Sequence, residues 1–484
     1  MPIEGSPEIA WRAIGPVLVL AGGATLTLIM AAIRRSMPRI RFVVVSLATI
    51  GGAAYLSFDM AGERIVGMQD MIAIDGVSLF TNAILLISAA IVTVISYDYL
   101  EARRIHRAEY YSLVLYATAG MSLLASANDL IMTFVALEVL SLALYILVGL
   151  ARKDAGSQEG SMKYFLLGAF SSAILLYGIA LVYGATGTTN IARIAALATD
   201  PSTDERLIML AAALLGVGFA FKIAAVPFHM WTPDVYQGAP TSVTGFMAAA
   251  TKAAAFAALL RVFLVSFGAL QWDWRPAMWG LALVTMVLGS LLAIAQSDVK
   301  RMLAYSSIAH AGFILVGLVA ANTDGTAGTL FYLLVYALMT LGAFAAVMAS
   351  GADGTERLDM NSWVGIGQRY PVFAGVMTLF LLSLAGIPPT AGFMGKFYVF
   401  QAAIEAGETG LVVAGVLASV IAAFFYLRLI VLMWLQDPGG EVAPIGVSPP
   451  STVGLAITAA ATIALGVWPQ GLMDIARQAA IFTG

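Results

Sequence analysis

The sequence predicts an all-α integral membrane protein of about 14 transmembrane helices, with two inverted five-helix repeats that each contain a broken helix. Three observations predict this class. Of the 484 residues, 60% are hydrophobic and 11% charged, with a mean hydropathy of +0.90, whereas a soluble domain carries roughly a quarter charged residues. The apolar residues come in unbroken runs that suit a helix crossing a bilayer in ~20 residues, while a barrel strand would alternate over ~10. Two of the runs are interrupted by proline in matching places.

The runs fall at 13–33, 41–60, 76–96, 110–126, 130–150, 161–184, 207–226, 241–266, 276–295, 302–320, 327–349, 371–401, 411–435 and 452–470. The seventh reaches Pro227 and continues as HMWTPDVYQGAP. The twelfth contains Gly386-Ile387-Pro388-Pro389, then Gly392 and Gly395. Proline removes a helix hydrogen bond and clashes with the preceding turn. At membrane depth such a break survives only where protein or a wet cavity satisfies the freed groups. Segments 4–8 and 9–13 then read as two five-helix units, each with its broken helix in fourth place and a lysine near the break. An odd number of helices per unit inverts the second copy, an arrangement that places a transporter's site near the midplane. The division expected is 1–108 with three helices, 109–270 and 271–436 with the repeats, and 437–484 with a last helix.

The chain has no Cys, which excludes iron–sulfur clusters, thiolate zinc sites and disulfides within it. Three His, at 106, 229 and 310, leave little for haem ligation, so redox chemistry is expected on a partner. The start, MPIEGSPEIAW, lacks a basic n-region and does not read as a cleaved signal peptide. Trp272 and Trp274 in QWDW suggest an interfacial belt. Orientation follows from the joints. Arg34, Arg35, Arg39, Arg41, Arg103, Arg104, Arg107, Arg152, Lys153, Lys300, Arg301, Arg357 and Arg369 follow odd segments, which makes 13. Arg12, Arg64, Arg193, Arg206, Arg275 and Arg477 lie on the other side, which makes 6. The richer side is the cytoplasm, and an even helix count leaves both termini periplasmic.

Six basic residues remain, inside the runs: Lys163, Lys222, Lys252, Arg261, Lys396 and Arg428. Glu138 and His310 join them. A charge in hydrocarbon is costly, so each is by default a functional residue. Arg261 and Arg428 sit nearer helix ends and are expected to snorkel outward. His106 lies in a loop expected to be solvated. Counted from the helix ends, Glu138, Lys163 and Lys252 are compatible with a polar row along the membrane plane. The physical use of such a row is proton transfer, because a buried ammonium without a full counter-charge can exchange its proton. Glu138 with Lys163 or Lys222 is one candidate pair. A metal-ion carrier needs several oxygen ligands, and four lysines beside one mid-helix carboxylate favour protons over sodium.

The segments KYFLLGAFSSAILLYGIALVYG, FKIAAVPFHMWTPDVYQGAPTSVTGFMAAATKAAAF, KRMLAYSSIAHAGF and LAGIPPTAGFMGKFYVF closely resemble the subunit N family of bacterial proton-translocating NADH:quinone oxidoreductase, respiratory complex I. The likeness covers essentially the whole chain. The paralogous subunit M carries Glu where this chain has Lys396, and subunit L continues into a long lateral helix, whereas this chain stops soon after its fourteenth run. The resemblance implies a proton relay. Glu138 and Lys222 are its input pair, Lys252 its centre and Lys396 its far site, with Lys163 and His310 in support and His229 in the proton-uptake region. Pro227, Pro388 and Pro389 make the helix breaks. It implies no cofactor in this chain; flavin, iron–sulfur clusters and ubiquinone belong to other subunits. The partners implied are neighbouring antiporter-like and small membrane-arm subunits, with lipids and without nucleic acid, in the bacterial inner membrane. A stand-alone or Mrp-type cation/proton antiporter is the alternative, and co-purification with NADH dehydrogenase activity separates the two.

The topology has a direct test. A reporter fused to the C-terminus should behave as periplasmic; cytoplasmic behaviour would mean that a helix has been miscounted.

Overall fold

The computed structural model describes residues 10–33, 37–352, 354–440 and 442–482. Arg34 and Arg35, and the acidic start up to residue 9, lie outside the described residues. All fourteen apolar runs are helical. They form α1 (Trp11–Ile33), α2 (Ile40–Asp59), α3 (Gly76–Ala102), α4 (Glu109–Ser126), α5 (Leu130–Val148) and α6 (Ala155–Thr186). A short α7 (Ile191–Leu197) precedes α8 (Glu205–Ile223) and α9 (Thr232–Gly238). Next come α10 (Thr241–Ser266), α11 (Gln271–Ile294), α12 (Val299–Ala320) and α13 (Thr323–Ala349). The broken twelfth run is α14 (Pro371–Ala385) and α15 (Ala391–Glu405), followed by α16 (Thr409–Leu435), α17 (Pro449–Val467) and α18 (Gln470–Ala479). Among the described residues, 12 helices are long and apolar enough to cross a membrane, and the chain is a multi-pass membrane protein.

The helices start where the sequence supplies an acceptor for their free amides. Asp75, Asp129, Asp154, Asp204 and Asp298 each sit just before a run and take backbone N–H bonds from its first turn, which satisfies donors that hydrocarbon would leave bare. This is why the few acidic residues cluster at joints. A small antiparallel hairpin, β1 (Ile65–Gly67) with β2 (Ile72–Ile74), closes the joint before α3.

The interior is built on α10, α12 and α13, which are buried almost from end to end, while α1, α6, α16 and α17 turn one face outward. α11 and α12 approach closely through two glycines. A Cβ on Gly289 would lie 2.6 Å from the Ala309 amide nitrogen, and one on Gly312 would lie 2.5 Å from that of Met286. Small residues let helix backbones meet where lipid supplies no hydrophobic drive.

Four features depart from the sequence reading. Arg261 does not snorkel: it is fully buried and bidentate with Asp75, at 2.8 and 2.9 Å. Lys300, counted with the loops, is also buried, and its Nζ donates to the Ala239 carbonyl at 2.7 Å. Trp274 turns inward and donates to the Phe267 carbonyl at 2.8 Å, so it does not belong to an interfacial belt, while Trp272 is exposed. The last section, 437–484, carries α18 as well as α17. For Arg261 and Lys300 the charged group had a partner distant in sequence, which charge counting does not see.

The close approach of α11 and α12 predicts that Gly312→Val overpacks the seam at a cost of about 1–3 kcal/mol. A lower melting temperature of the purified assembly, or less of it on native gels, is the expected outcome. Gly22→Val, where nothing lies within 4 Å of the added carbon, should change neither.

Candidate functional site

The first break sits where it was expected, near Pro227, but the helix stops earlier. α8 ends at Ile223, Ala224 is left-handed at φ 60°, and the chain turns before α9 begins. The freed groups find side chains. Trp231 Nε1 donates to the Phe221 carbonyl at 3.0 Å, and the Val226 amide donates to Thr285 Oγ1 at 3.0 Å. His229 is half-buried within this turn. α9 is then held from two sides, because Asp234 accepts from Lys163 at 2.7 Å and from Arg301 at 2.7 Å. Lys163 also pairs with Glu159 at 2.6 Å. Its partners are therefore Glu159 and Asp234, and it holds α9 rather than touching Glu138.

Lys222 lies in the last turn of α8, buried, with its Nζ 2.7 Å from Ser141 Oγ. Glu138, one turn before Ser141 on α5, accepts from the Ser172 hydroxyl of α6. The expected Glu138–Lys222 pair is thus not a direct ion pair; each group rests on its own serine, Glu138 on Ser172 and Lys222 on Ser141, whose hydroxyl donates to the Leu137 carbonyl. The Tyr164 ring lies 5.6 Å from Lys222 Nζ and stacks on Trp231 at 4.6 Å. Trp231 in turn meets Tyr236 edge-on at 6.2 Å. An aromatic bridge therefore leads from Lys222 into the middle of the protein.

Lys252 is buried in α10. The turn just before it, Met247–Thr251, is a π-helix, a local widening that often marks function. Its Nζ is bonded to both the carbonyl and the hydroxyl of Ser307 on α12, the latter at 2.8 Å, and lies 5.0 Å from the Tyr336 ring. One turn along α12 from Ser307 stands His310. Its Nδ1 is 2.8 Å from Tyr332 Oη and its Nε2 is 3.3 Å from Tyr426 Oη. Tyr426 is also hydrogen-bonded to Ser306. Another turn along, the Phe313 ring lies 4.5 Å from Lys396 Nζ. α12 therefore carries contacts for Lys252, His310 and Lys396 in sequence.

Lys396 serves the second break. Its Nζ donates to the Ala385 carbonyl at 2.9 Å, at the open end of α14. Gly386 has φ 84°, and a Cβ there would lie 3.1 Å from Lys396 Nζ. The Gly392 amide donates to Ser383 Oγ at 3.0 Å across the gap. Pro388 and Pro389 occupy the exposed part of the link.

Among the described residues, no carboxylate lies within ion-pair distance of Lys222, Lys252 or Lys396. Two of the three amines rest on serine hydroxyls instead. A hydroxyl can accept from an ammonium or donate to a neutral amine, so it accommodates both protonation states. Ser141, Ser172, Ser307, Tyr332, Tyr336 and Tyr426 were not picked out from the sequence. The available signal was a hydroxyl one turn or one residue from a charged group in an otherwise apolar helix, as in the YSSIAH stretch before His310.

The chain matches the protein family described as NADH:quinone oxidoreductase/Mrp antiporter, TM, over residues 127–422. NADH-quinone oxidoreductase subunit N of Rhodococcus opacus is 54% identical over 376 residues, covering 77% of this chain and 70% of that protein. The subunit N of Acidothermus cellulolyticus is 44% identical over 505 residues, covering 99% and 97%. A chain of respiratory complex I from Thermus thermophilus with bound aureothin superposes with a TM-score of 0.81 at 35% identity, covering 95% of this chain and 98% of that one. A chain of the Mrp complex from a Dietzia species superposes with a TM-score of 0.86 at 22% identity, covering 98% and 97%, a likeness of fold alone.

Gly386→Ala should raise the energy of the second break by about 1–2 kcal/mol, the cost of a left-handed non-glycine residue, and crowd Lys396. A lower melting temperature checks this. Gly22→Ala, with open space around it, is the control.

Proposed function

The chain belongs to the antiporter-like subunit N family of NADH-quinone oxidoreductases, and from that premise we propose that it conducts protons across the bacterial inner membrane. NADH oxidation and quinone reduction proceed in other subunits of the same complex, which hold the flavin, the iron–sulfur clusters and the quinone. Its relatives are subunits of an enzyme; its own share is translocation, with no redox step. Its neighbours in this reading are other antiporter-like and small membrane-arm subunits, and lipid.

The observation that carries the reading is the way the buried lysines are held. Lys252 rests on Ser307, and a short path of hydroxyl and imidazole groups on or against α12 leads on toward Lys396. Glu138, resting on Ser172, and Lys222, resting on Ser141, are the input end. Lys252 is the central relay and Lys396 the far site. His310 bridges these two, Lys163 and His229 belong to the first break, and residues 109–270 and 271–436 act as the paired inverted units. The identity of 35% to a complex I chain, against 22% to an Mrp chain, favours this over a free-standing antiporter.

The test is Lys252. A relay must change protonation state, and arginine keeps the charge but does not release a proton. Lys252→Ala and Lys252→Arg should both lower NADH-driven proton pumping and coupled quinone turnover several-fold in an assembled complex. Lys252→His should retain more than Lys252→Ala. Normal pumping by Lys252→Arg would make the side chain a fixed charge and end the relay reading.

A further inference from the structure

One charged pair in the interior takes no part in the relay, yet shares a helix with its centre. Arg261 is nine residues beyond Lys252 on α10, about 13 Å along the axis, toward the end away from the arginine-rich loops. Both partners of the Arg261–Asp75 pair are buried, with side chains 1% and 0% exposed. The guanidinium makes two bonds to the carboxylate, at 2.8 and 2.9 Å. Asp75 also accepts from the Ser78 amide at 2.9 Å as the cap of α3. The Phe482 ring lies 5.3 Å from the guanidinium. Just beyond, Val262–Ser266 is a second π-helical turn, and Ser266 Oγ donates to the Ile191 carbonyl at the start of α7 at 3.0 Å.

The two halves of α10 differ in character. Before Lys252, Thr241 and Thr251 are buried with hydroxyl oxygens that no described protein group satisfies. After Lys252, Ala253 to Leu260 are all apolar and at most 2% exposed. On the helices packed against that half, Ser88, Thr93 and Thr118 donate to carbonyls of their own helices. Ser122, Asn82 and Ser57 bond one another. Thr81 alone among these has a hydroxyl without a partner.

A buried ion pair is a poor way to gain stability, since apolar residues of similar volume often serve as well or better. Its chemistry suggests another use. Arginine does not give up its proton, so a guanidinium locked on a carboxylate cannot hand one on. An aspartate engaged twice by arginine and once by a backbone amide is a poor relay. We infer that the Arg261–Asp75 pair is a proton seal: it closes the end of α10 below Lys252, so that protons on Lys252 leave only sideways through Ser307 and His310. The inference rests on the proton-relay reading.

The test uses the whole complex in proteoliposomes, with the neutral double variant Asp75→Asn/Arg261→Gln, which keeps hydrogen bonding and approximate volume. NADH oxidation should be unchanged, protons pumped per NADH should fall by half or more, and an imposed pH step without NADH should decay several-fold faster. Adding Lys252→Ala should return that decay to the native rate. An assembled double variant as tight as the native complex overturns the seal, as does a leak indifferent to Lys252. Should the double variant not assemble, Arg261→Lys, whose ammonium can release a proton, is expected to assemble and leak. A tight Arg261→Lys complex, or failure of both variants to assemble, makes the pair a structural pin and overturns the proposal. If native pumping ignores Lys252→Ala, the relay reading itself fails; if pumping needs Lys252 but the double variant stays tight, only the seal fails.

Discussion

Hydrocarbon offers no hydrogen bonds, so each backbone group and ionisable side chain at membrane depth must find its partner inside the protein. The irregular parts of this chain answer that constraint. Where α8 ends, the indole of Trp231 takes the Phe221 carbonyl. Where α14 ends, the ammonium of Lys396 takes the Ala385 carbonyl. The Phe221 carbonyl also takes the Ala224 amide at 3.1 Å, whereas the second break without Lys396 would leave the Ala385 carbonyl bare, which costs several kcal/mol in such surroundings. The breaks and the polar residues beside them are therefore one feature. Pro389 is tolerated at the second break because Lys396 takes the carbonyl four residues before it.

The same constraint gives α12 its place. A helix that bears His310, Ser306 and Ser307 at membrane depth is kept from lipid: α9, α11, α13, α15 and α16 enclose it, and Lys252 reaches it from α10. Enclosure requires that one neighbour come very near, and Gly289 and Gly312 permit α11 to do so. The cost of burying hydroxyls is met by pairing them: Ser306 with Tyr426, Ser307 with Lys252, and His310 with Tyr332 and Tyr426. Close packing thus holds the hydroxyl path in fixed geometry.

The fold was legible because its signals are local. Fourteen apolar runs, the prolines at 227, 388 and 389, and aspartates at helix starts each declare themselves within a few residues. Lys222, Lys252, Lys396 and His310 were likewise visible as polar groups in apolar surroundings, and all four are buried. What the sequence did not disclose are pairings across long separations. Arg261 looked like a residue free to reach the interface, because Asp75 is 186 positions away. Lys300 looked like a loop residue, because its acceptor at Ala239 lies in the distant joint between α9 and α10. Lys163 looked close to Glu138 in depth, yet its carboxylates are Glu159 and Asp234. Depth along a helix can be counted from sequence, but the direction of a side chain round the axis needs the packing.

The contrast between Lys252 and Arg261 shows why depth alone does not assign a role. Both lie on α10 and both are buried. Lys252 has a single amine, held by a serine whose hydroxyl can reverse its donor and acceptor roles. Arg261 has a planar fork matched to a carboxylate that is already fixed as a helix cap. Removing a proton from the first leaves a neutral amine that can still be hydrogen-bonded by the same serine. Removing one from the second would take an N–H donor from a buried carboxylate and leave its charge uncompensated, a loss of several kcal/mol. The partner, more than the burial, decides whether a cation in this membrane domain can move a proton or only stand in its way.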